Sequence, residues 1–341
     1  MPELVYFYPN GHEAHEERGH PERPERVEAM LRALQQIGWW DDFPHLEPDD
    51  VPKGVLETIH NPGYLTKLQL ACSRGQRIDL DTYVTTASWE LALKAAGGAI
   101  AVSRAVWGGE ARRGFALTRP PGHHATSKRA MGFCLLNNIA IAAEYLLQHE
   151  GAERVAIVDL DQHHGNGTQA AFWTRGDVFY ISTHQYPHYP GTGRVHETGE
   201  GKGEGLTANF PLPPFSGDRA FQVIMEDAIV PLLDRFAPEM ILVSYGFDTH
   251  WRDPLGSLLL TAAGYKHLIE SLTGWADRHC EGRIALFLEG GYDLDAAAAC
   301  TQGVVAALLG REWDDPLGSP HQAATESWHS MLQDAKQVWG L

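Results

Sequence analysis

Six short runs of Val, Ile, Leu, Phe and Tyr punctuate the chain, each stopping abruptly at Gly, Pro, Asp or His: LVYFY (4–8), GFALTRP (114–120), RVAIVDLD (154–161), DVFYIST (177–183), MILVSYGFD (240–248) and RIALFLEGG (283–291). Unbroken apolar runs of this length are the pattern of strands buried on both faces. Between them lie amphipathic stretches of helical length at 24–38, 88–107, 137–151, 218–236 and 262–279. Strand alternating with helix predicts an α/β fold with a mostly parallel central sheet flanked by helices. No repeat, low-complexity tract or Pro/Ser linker divides residues 1–341, so one domain is expected. The Gly- and Pro-rich stretch 186–217 is long for a connection, and such loops are usually functional.

Composition narrows the classes of function. The 341 residues are 43% hydrophobic and 21% charged, the balance of a globular protein with a sizeable core. Lys plus Arg number 27 against 44 Asp plus Glu, a formal charge of −17. That surface repels phosphate backbones, which argues against direct nucleic-acid binding and favours neutral or cationic substrates. The four cysteines, Cys72, Cys134, Cys280 and Cys300, form no CxxC pair and read as buried thiols in a reducing compartment. The start lacks a basic n-region and no stretch reaches 18 apolar residues, so a cytoplasmic protein without a membrane span is expected. The 18 histidines prompt a search for a metal or proton-transfer site.

Ligands of open α/β sheets sit beyond the carboxyl ends of the strands. GFALTRP is followed by His123 and His124; RVAIV by Asp159, Asp161, His163, His164 and Asn166; MILVSYGF by Asp248; RIALFLEGG by Tyr292. Any one of these has a blander reading as a cap or turn residue, but four strand ends delivering such groups do not. Asp161 and His163, two apart on an extended segment, project to one side, and Asp248 would close a three-ligand set with an open position. Such a set suits Zn²⁺ or Fe²⁺ and leaves room for a water whose pKa falls to about 7. His123 and His124 are candidates for proton transfer, Asp159 and Asn166 for orienting those rings, and Tyr292 for a hydrogen bond to an oxyanion.

Other residues invite weaker readings. His164 points away from the metal and reads as a packed histidine, and His250 as a rim residue rather than a fourth ligand. In GHEAHEERGH, the spacing of His12, His15 and His20 lacks the i, i+4 face of an HExxH site, leaving a rim loop or a solvated turn. GEGKGEG (199–205) lacks the ending of a phosphate loop and reads as a flexible turn, and Trp39-Trp40 as core.

The motifs HPERPER (20–26), RPPGHH (119–124), GFCLLNN (132–138), DLDQHHGNGTQ (159–169), PGTG (190–193), SYGFDTHWRDPLG (244–256) and LEGGYDL (288–294), in this order, resemble those of the zinc-dependent histone deacetylase superfamily. That superfamily takes in acetylpolyamine amidohydrolases and bacterial deacetylase-like amidohydrolases, and the wording here is similar to its class II branch. The resemblance implies an arginase-like α/β fold, Zn²⁺ on Asp161, His163 and Asp248, and His124 as general base and acid. It implies His123 as an electrostatic partner supported by Asp159, Asn166 beside His124, and Tyr292 polarising the scissile carbonyl. It also implies K⁺ near the zinc, held by Asp159, Ser182 and main-chain oxygens of Asp161, His163 and Thr183. The acyl-lysine tunnel would be lined by Gly132, Phe133 and Tyr189, the last departing from the usual Phe, with apolar Leu255 where some polyamine-selective relatives carry an acid.

The expected reaction is removal of acetyl or short acyl groups from an amine such as acetyl-lysine. An acetylpolyamine or other small N-acyl amine is the alternative, and a homo-oligomer covering the tunnel mouth is compatible with either. A two-metal ureohydrolase would need an Asp where the chain has Gly165, and a non-catalytic binder would usually have lost its base or its Tyr; this chain retains both.

Overall fold

All six predicted strands form in the computed structural model, which describes residues 1–341, five of them trimmed by a few residues and the fourth running two residues further, to Gln185. They are β1 (Leu4–Phe7), β3 (Arg113–Ala116), β4 (Val155–Asp159), β5 (Val178–Gln185), β7 (Met240–Tyr245) and β8 (Ile284–Leu288). Two further strands escape the apolar pattern: β2 (His45–Leu46) and β6 (Thr207–Leu212). The eight make one sheet in the order β2-β1-β3-β8-β7-β4-β5-β6, every neighbouring pair parallel. The unpredicted strands are its two edges. β2 is only two residues long, and β6 carries Pro211, a residue that sheets accept at an edge because no ladder partner needs its missing N–H.

Side chains alternate across the pleat. Phe115, Ala156, Val158, Ile241 and Val243 join the larger core on one face, while Ala116, Val155, Ile157, Met240 and Leu242 join the core on the other. Both faces are therefore covered, as the unbroken apolar runs require. The five predicted helices are present at Glu25–Gln36, Ser88–Trp107, Asn138–His149, Asp218–Phe236 and Ala262–His279. The fourth is interrupted by a π-helical turn at Met225–Ile229 just ahead of Pro231, whose ring would clash with the carbonyl four residues back in a regular helix. Further helices at Lys53–Ile59, Pro62–Ser73, Asn166–Phe172, Leu294–Leu309 and Trp328–Trp339 complete the layers. All four cysteines are buried thiols. No helix is long and apolar enough to cross a membrane.

The stretch 186–217, expected to be a loop throughout, contains β6 and a single 3₁₀ turn at Gly201–Gly203. The loop ahead of β6 is pinned by polar side chains beneath it. His164 bonds Thr192 (2.7 Å) and Gln169 (2.9 Å), His184 bonds the Gly193 carbonyl (2.9 Å), and Glu197 accepts from Gln169 (2.8 Å). Burial holds His164 down at about 4, so this is a network of neutral imidazoles. His164 is thus the packed histidine that its place in the run implied.

Candidate active site

The strands whose ends carry the predicted residues, β3, β8, β7 and β4, are four consecutive neighbours at the centre of the sheet. At about 4.8 Å per strand their ends span only about 14 Å, which brings residues from 119 to 292 to one place. Asp161, His163 and Asp248 are buried there, and their ligand atoms lie within 4.8 Å of one another. His163 Nδ1 is 3.2 Å from an Asp161 oxygen and 2.9 Å from an Asp248 oxygen. Main-chain N–H groups of His163 and Gly290 donate to Asp161, and that of Gln162 to Asp248, fixing both carboxylates. A side chain on Gly290 would overlap Asp248, so the approach of the LEGG turn requires glycine.

The donor set fits a divalent cation. Burial opposes a charge on His163, yet the adjoining carboxylates hold its pKa up at about 10, as expected where the surroundings are built to stabilise positive charge. Two carboxylates and one imidazole are also donors that zinc accepts, with a coordination position left over.

Beside this set, the rings of His123 and His124 lie 4.0 Å apart between centroids. His124 Nδ1 donates to Asn166 Oδ1 at 2.9 Å, which leaves Nε2 as the acceptor. Burial, with the charges of His123 and His163 close by, holds His124 well below the ordinary histidine range. His123 behaves oppositely: burial disfavours its charge, but Asp161, Asp159 and Glu289 raise it to about 10. Its Nδ1 lies 3.1 Å from Asp159 Oδ2, which also accepts from the Tyr180 hydroxyl at 3.0 Å. The two histidines thus differ in charge because different partners face them. Gly165 packs so closely on Asp159 and Tyr180 that even a Cβ would overlap them, leaving no room for the Asp that a second metal would need.

His124, His163 and Tyr292 line a cavity of about 90 Å³ together with Gly132, Phe133, Tyr189, Leu255 and Asp81. All four expected tunnel residues are therefore in its wall. Tyr189, 37% exposed, stands at the mouth. Gly132 and Phe133 both have left-handed backbone, φ 53 and 67, and a Cβ at Gly132 would overlap the His124 ring. For Phe133 that conformation costs about 1 kcal/mol. Tyr292 meets Phe133 edge-on at 5.7 Å and has the Arg26 guanidinium over its face at 4.9 Å. Burial raises its pKa well above the ordinary phenol value, so it keeps its proton. Asp159 and Ser182 are paired in register on β4 and β5, and the Thr183 hydroxyl reaches the Asp159 carbonyl at 3.5 Å.

Several residues of the site carry no role in the motif reading. Glu289 accepts the main-chain N–H groups of Gly122 (2.7 Å) and His123 (3.0 Å). Asp253 accepts those of Tyr292 (2.6 Å) and Leu255 (2.9 Å). Both acids lie inside quoted motifs, but a side chain that holds backbone leaves no spacing signature. Asp81 in the cavity wall belongs to no motif at all.

The histidine-rich N-terminal segment is packed, not a solvated turn. His12, His15 and His20 are buried; Arg119 donates to the carbonyls of His12 and His15 at 2.6 Å each, and His20 packs edge-on against Phe133 at 4.7 Å. Its side chains are spent on Arg119, Ser88 and the tunnel wall. His250 also departs from expectation: it is buried and stacked on Trp251, away from both the rim and the ligand set. Trp40 is core as expected, while Trp39 is only half-buried against it.

A donor set for one cation, a neutral imidazole beside it and a protonated phenol across the cavity define a hydrolase acting on a carbonyl. The histone deacetylase domain matches residues 20–308, and the chain belongs to the histone deacetylase family, as a deacetylase. It is 42% identical over 294 residues to a "Probable deacetylase" of Archaeoglobus fulgidus, covering 85% of this chain and 82% of the relative. It is 36% identical to the histone deacetylase-like amidohydrolase of Pseudomonas aeruginosa, covering 95% and 88%. Among solved structures, the HDA15 HD domain superposes with a TM-score of 0.88 at 32% identity, covering 98% of this chain and 95% of that one.

Proposed function

We propose that residues 1–341 act as one zinc-dependent deacetylase domain that hydrolyses the acetyl or short acyl amide of a lysine side chain. The observation that carries this reading is the clustering of the Asp161, His163 and Asp248 donors where His163 meets His124 and Tyr292 in the wall of one narrow cavity. When bound, zinc supplies Lewis acidity toward the carbonyl and a water of lowered pKa. Neutral His124, anchored by Asn166, takes the proton of the attacking water on Nε2 and returns it to the departing amine. Positive His123, paired with Asp159, favours the negative charge that develops nearby. Tyr292 donates to the oxyanion. Phe133 and Tyr189 hold the acyl-amine stem and exclude water from it, and Leu255 gives that stem an apolar contact that suits a lysine side chain better than a polyamine. Asp159, Ser182 and the carbonyl of Thr183 are our candidates for a structural K⁺.

The test is acetate release from an acetyl-lysine peptide by protein stripped of metal and reloaded with one equivalent of zinc. The expected result is activity that returns with zinc and is absent in Asp248→Ala. Zinc-loaded protein that leaves acetyl-lysine peptides, acetylpolyamines and small fluorogenic acetamides untouched would sink the reading.

A further inference from the structure

On the far side of the tunnel wall lies a second cavity, of about 320 Å³, between the helix Pro62–Ser73 and the loops around residues 76–78 and 128–130. Its rim is cationic, with Lys67, Arg74, Arg77, Lys128 and Arg129 all exposed around it. Only two of the five are paired: Arg129 with Asp79 at 3.4 Å and Arg77 with Glu17 at 2.9 Å. Lys67, Arg74 and Lys128 have no acidic partner. On a chain of net charge −17 such a cluster is a local inversion, and beyond about 8 Å the remaining surface is screened from it. Beneath the rim the lining is apolar: Tyr64 and Leu68 form a buried floor, and Leu70 stands 49% exposed beside them.

The same two loops that line this cavity run on into the wall of the catalytic one. Ala130 lines the first and Gly132 the second; two residues apart, their Cα atoms are separated by at most about 7 Å. Ile78 and Asp81 make the same connection on the opposite wall, and the Thr82 hydroxyl, accepting from the Phe133 main chain at 3.3 Å, ties the two walls together.

We propose that this cavity binds the flank of the substrate, and that the flank is an acidic peptide segment carrying an apolar side chain. The inference rests on the deacetylase reading above and names its substrate class. Unpaired cations call for carboxylates, the apolar floor calls for a side chain rather than a bare anion, and the two loops shared with the tunnel wall make the substrate itself the occupant. The rim disfavours the cationic polyamines that net charge alone attracts, leaving Asp81 in the catalytic cavity's wall to face them.

The experiment compares kcat/KM of the zinc-loaded enzyme for three acetyl-lysine substrates: a peptide with Glu and Leu on both flanks, one of equal length with Lys and Leu, and capped acetyl-lysine. The acidic peptide is expected to exceed the basic one by about threefold to tenfold, less as NaCl rises. In K67E/R74E, which alters exposed side chains outside the catalytic cavity, that preference disappears while capped acetyl-lysine is turned over as before. Equal or reversed preference, or a preference that survives in K67E/R74E, overturns the proposal. So does competition by millimolar inorganic phosphate as effective as that by the unacetylated acidic peptide, which would mark a site for free anions. Fluorescence anisotropy of the labelled acidic peptide reads the pocket without turnover. Charge-dependent binding without hydrolysis of any acetamide counts against the deacetylase reading alone; hydrolysis without charge preference counts against the pocket alone.

Discussion

Replacing Tyr292 by Phe deletes one oxygen from a ring whose other contacts, the edge of Phe133, the face of Arg26 and the main-chain bond to Asp253, are untouched. The hydroxyl has no partner within the protein. If it serves the oxyanion, Tyr292→Phe lowers kcat by about 10²-fold with KM little changed, and thermal stability stays at the wild-type value. Steady-state kinetics and a melting curve check both halves, and full turnover in the variant removes Tyr292 from the reaction. The grouping of such residues is legible in the sequence because open α/β sheets gather ligands at their strand ends: an Asp, a His pair and a Tyr that each follow an apolar run have few structural reasons to be there together. Glu289 and Asp253 were not legible. Each grips backbone N–H groups, and any segment offers those, so only the folded geometry tells which acid holds which turn.

Between residue and molecule stands a buried ionic cluster that ties the N-terminal segment to the site. Glu22 accepts from Arg119 at 2.7 Å and from Arg26 at 3.1 Å, and Arg26 in turn donates to the carbonyls of Glu289 and Gly291 beside Tyr292. All three side chains are fully buried. Burial works against the Glu22 charge, but Arg119 and Arg26 outweigh it and bring the pKa down to about 2 from an ordinary 4.5. A depressed carboxyl stabilises the fold fully above its unfolded pKa and ceases to as pH falls through its folded one. The difference in stability between wild type and Glu22→Gln should therefore be constant above about pH 5 and shrink as pH falls toward 2. Near neutrality it should be about 3 kcal/mol, because two guanidiniums are left with a neutral amide. Urea unfolding of both proteins across that range measures it, and a gap independent of pH would show that Glu22 acts by packing alone. HPERPER announced this segment as a motif, but nothing in its spacing placed its Glu under Arg119. The helix Leu294–Leu309 escaped for the opposite reason. Packed between the helices Glu25–Gln36 and Ala262–His279, it is apolar on nearly all sides, so it has no polar face to reveal its period.

At the scale of the whole molecule, net charge and metal pull in different directions. A charge of −17 describes the surface as a whole, yet the groups around a bound substrate are the buried donor set, Asp81 in the cavity wall and the cationic rim beyond it, and at physiological salt it is the near groups that count. The buried acids also make folding and metal binding one equilibrium. Asp161 and Asp248 come from the ends of β4 and β7, far apart in sequence, and burial with the Asp161 charge pushes the Asp248 carboxyl upward, a penalty that a cation between them would offset. On the proposed reading zinc would bind the assembled set, a grouping the unfolded chain does not offer. At a hundredfold excess over its Kd it should stabilise the fold by about 2.7 kcal/mol, worth about 4 °C in Tm for a chain of this size. Differential scanning calorimetry of the chelator-treated protein, with and without added zinc, reads this independently of any substrate. Asp248→Ala should lose the shift, whereas Tyr292→Phe, which leaves the donors intact, should keep it. A Tm that ignores zinc in the wild type would mean that Asp161, His163 and Asp248 do not hold it, whatever activity the protein shows.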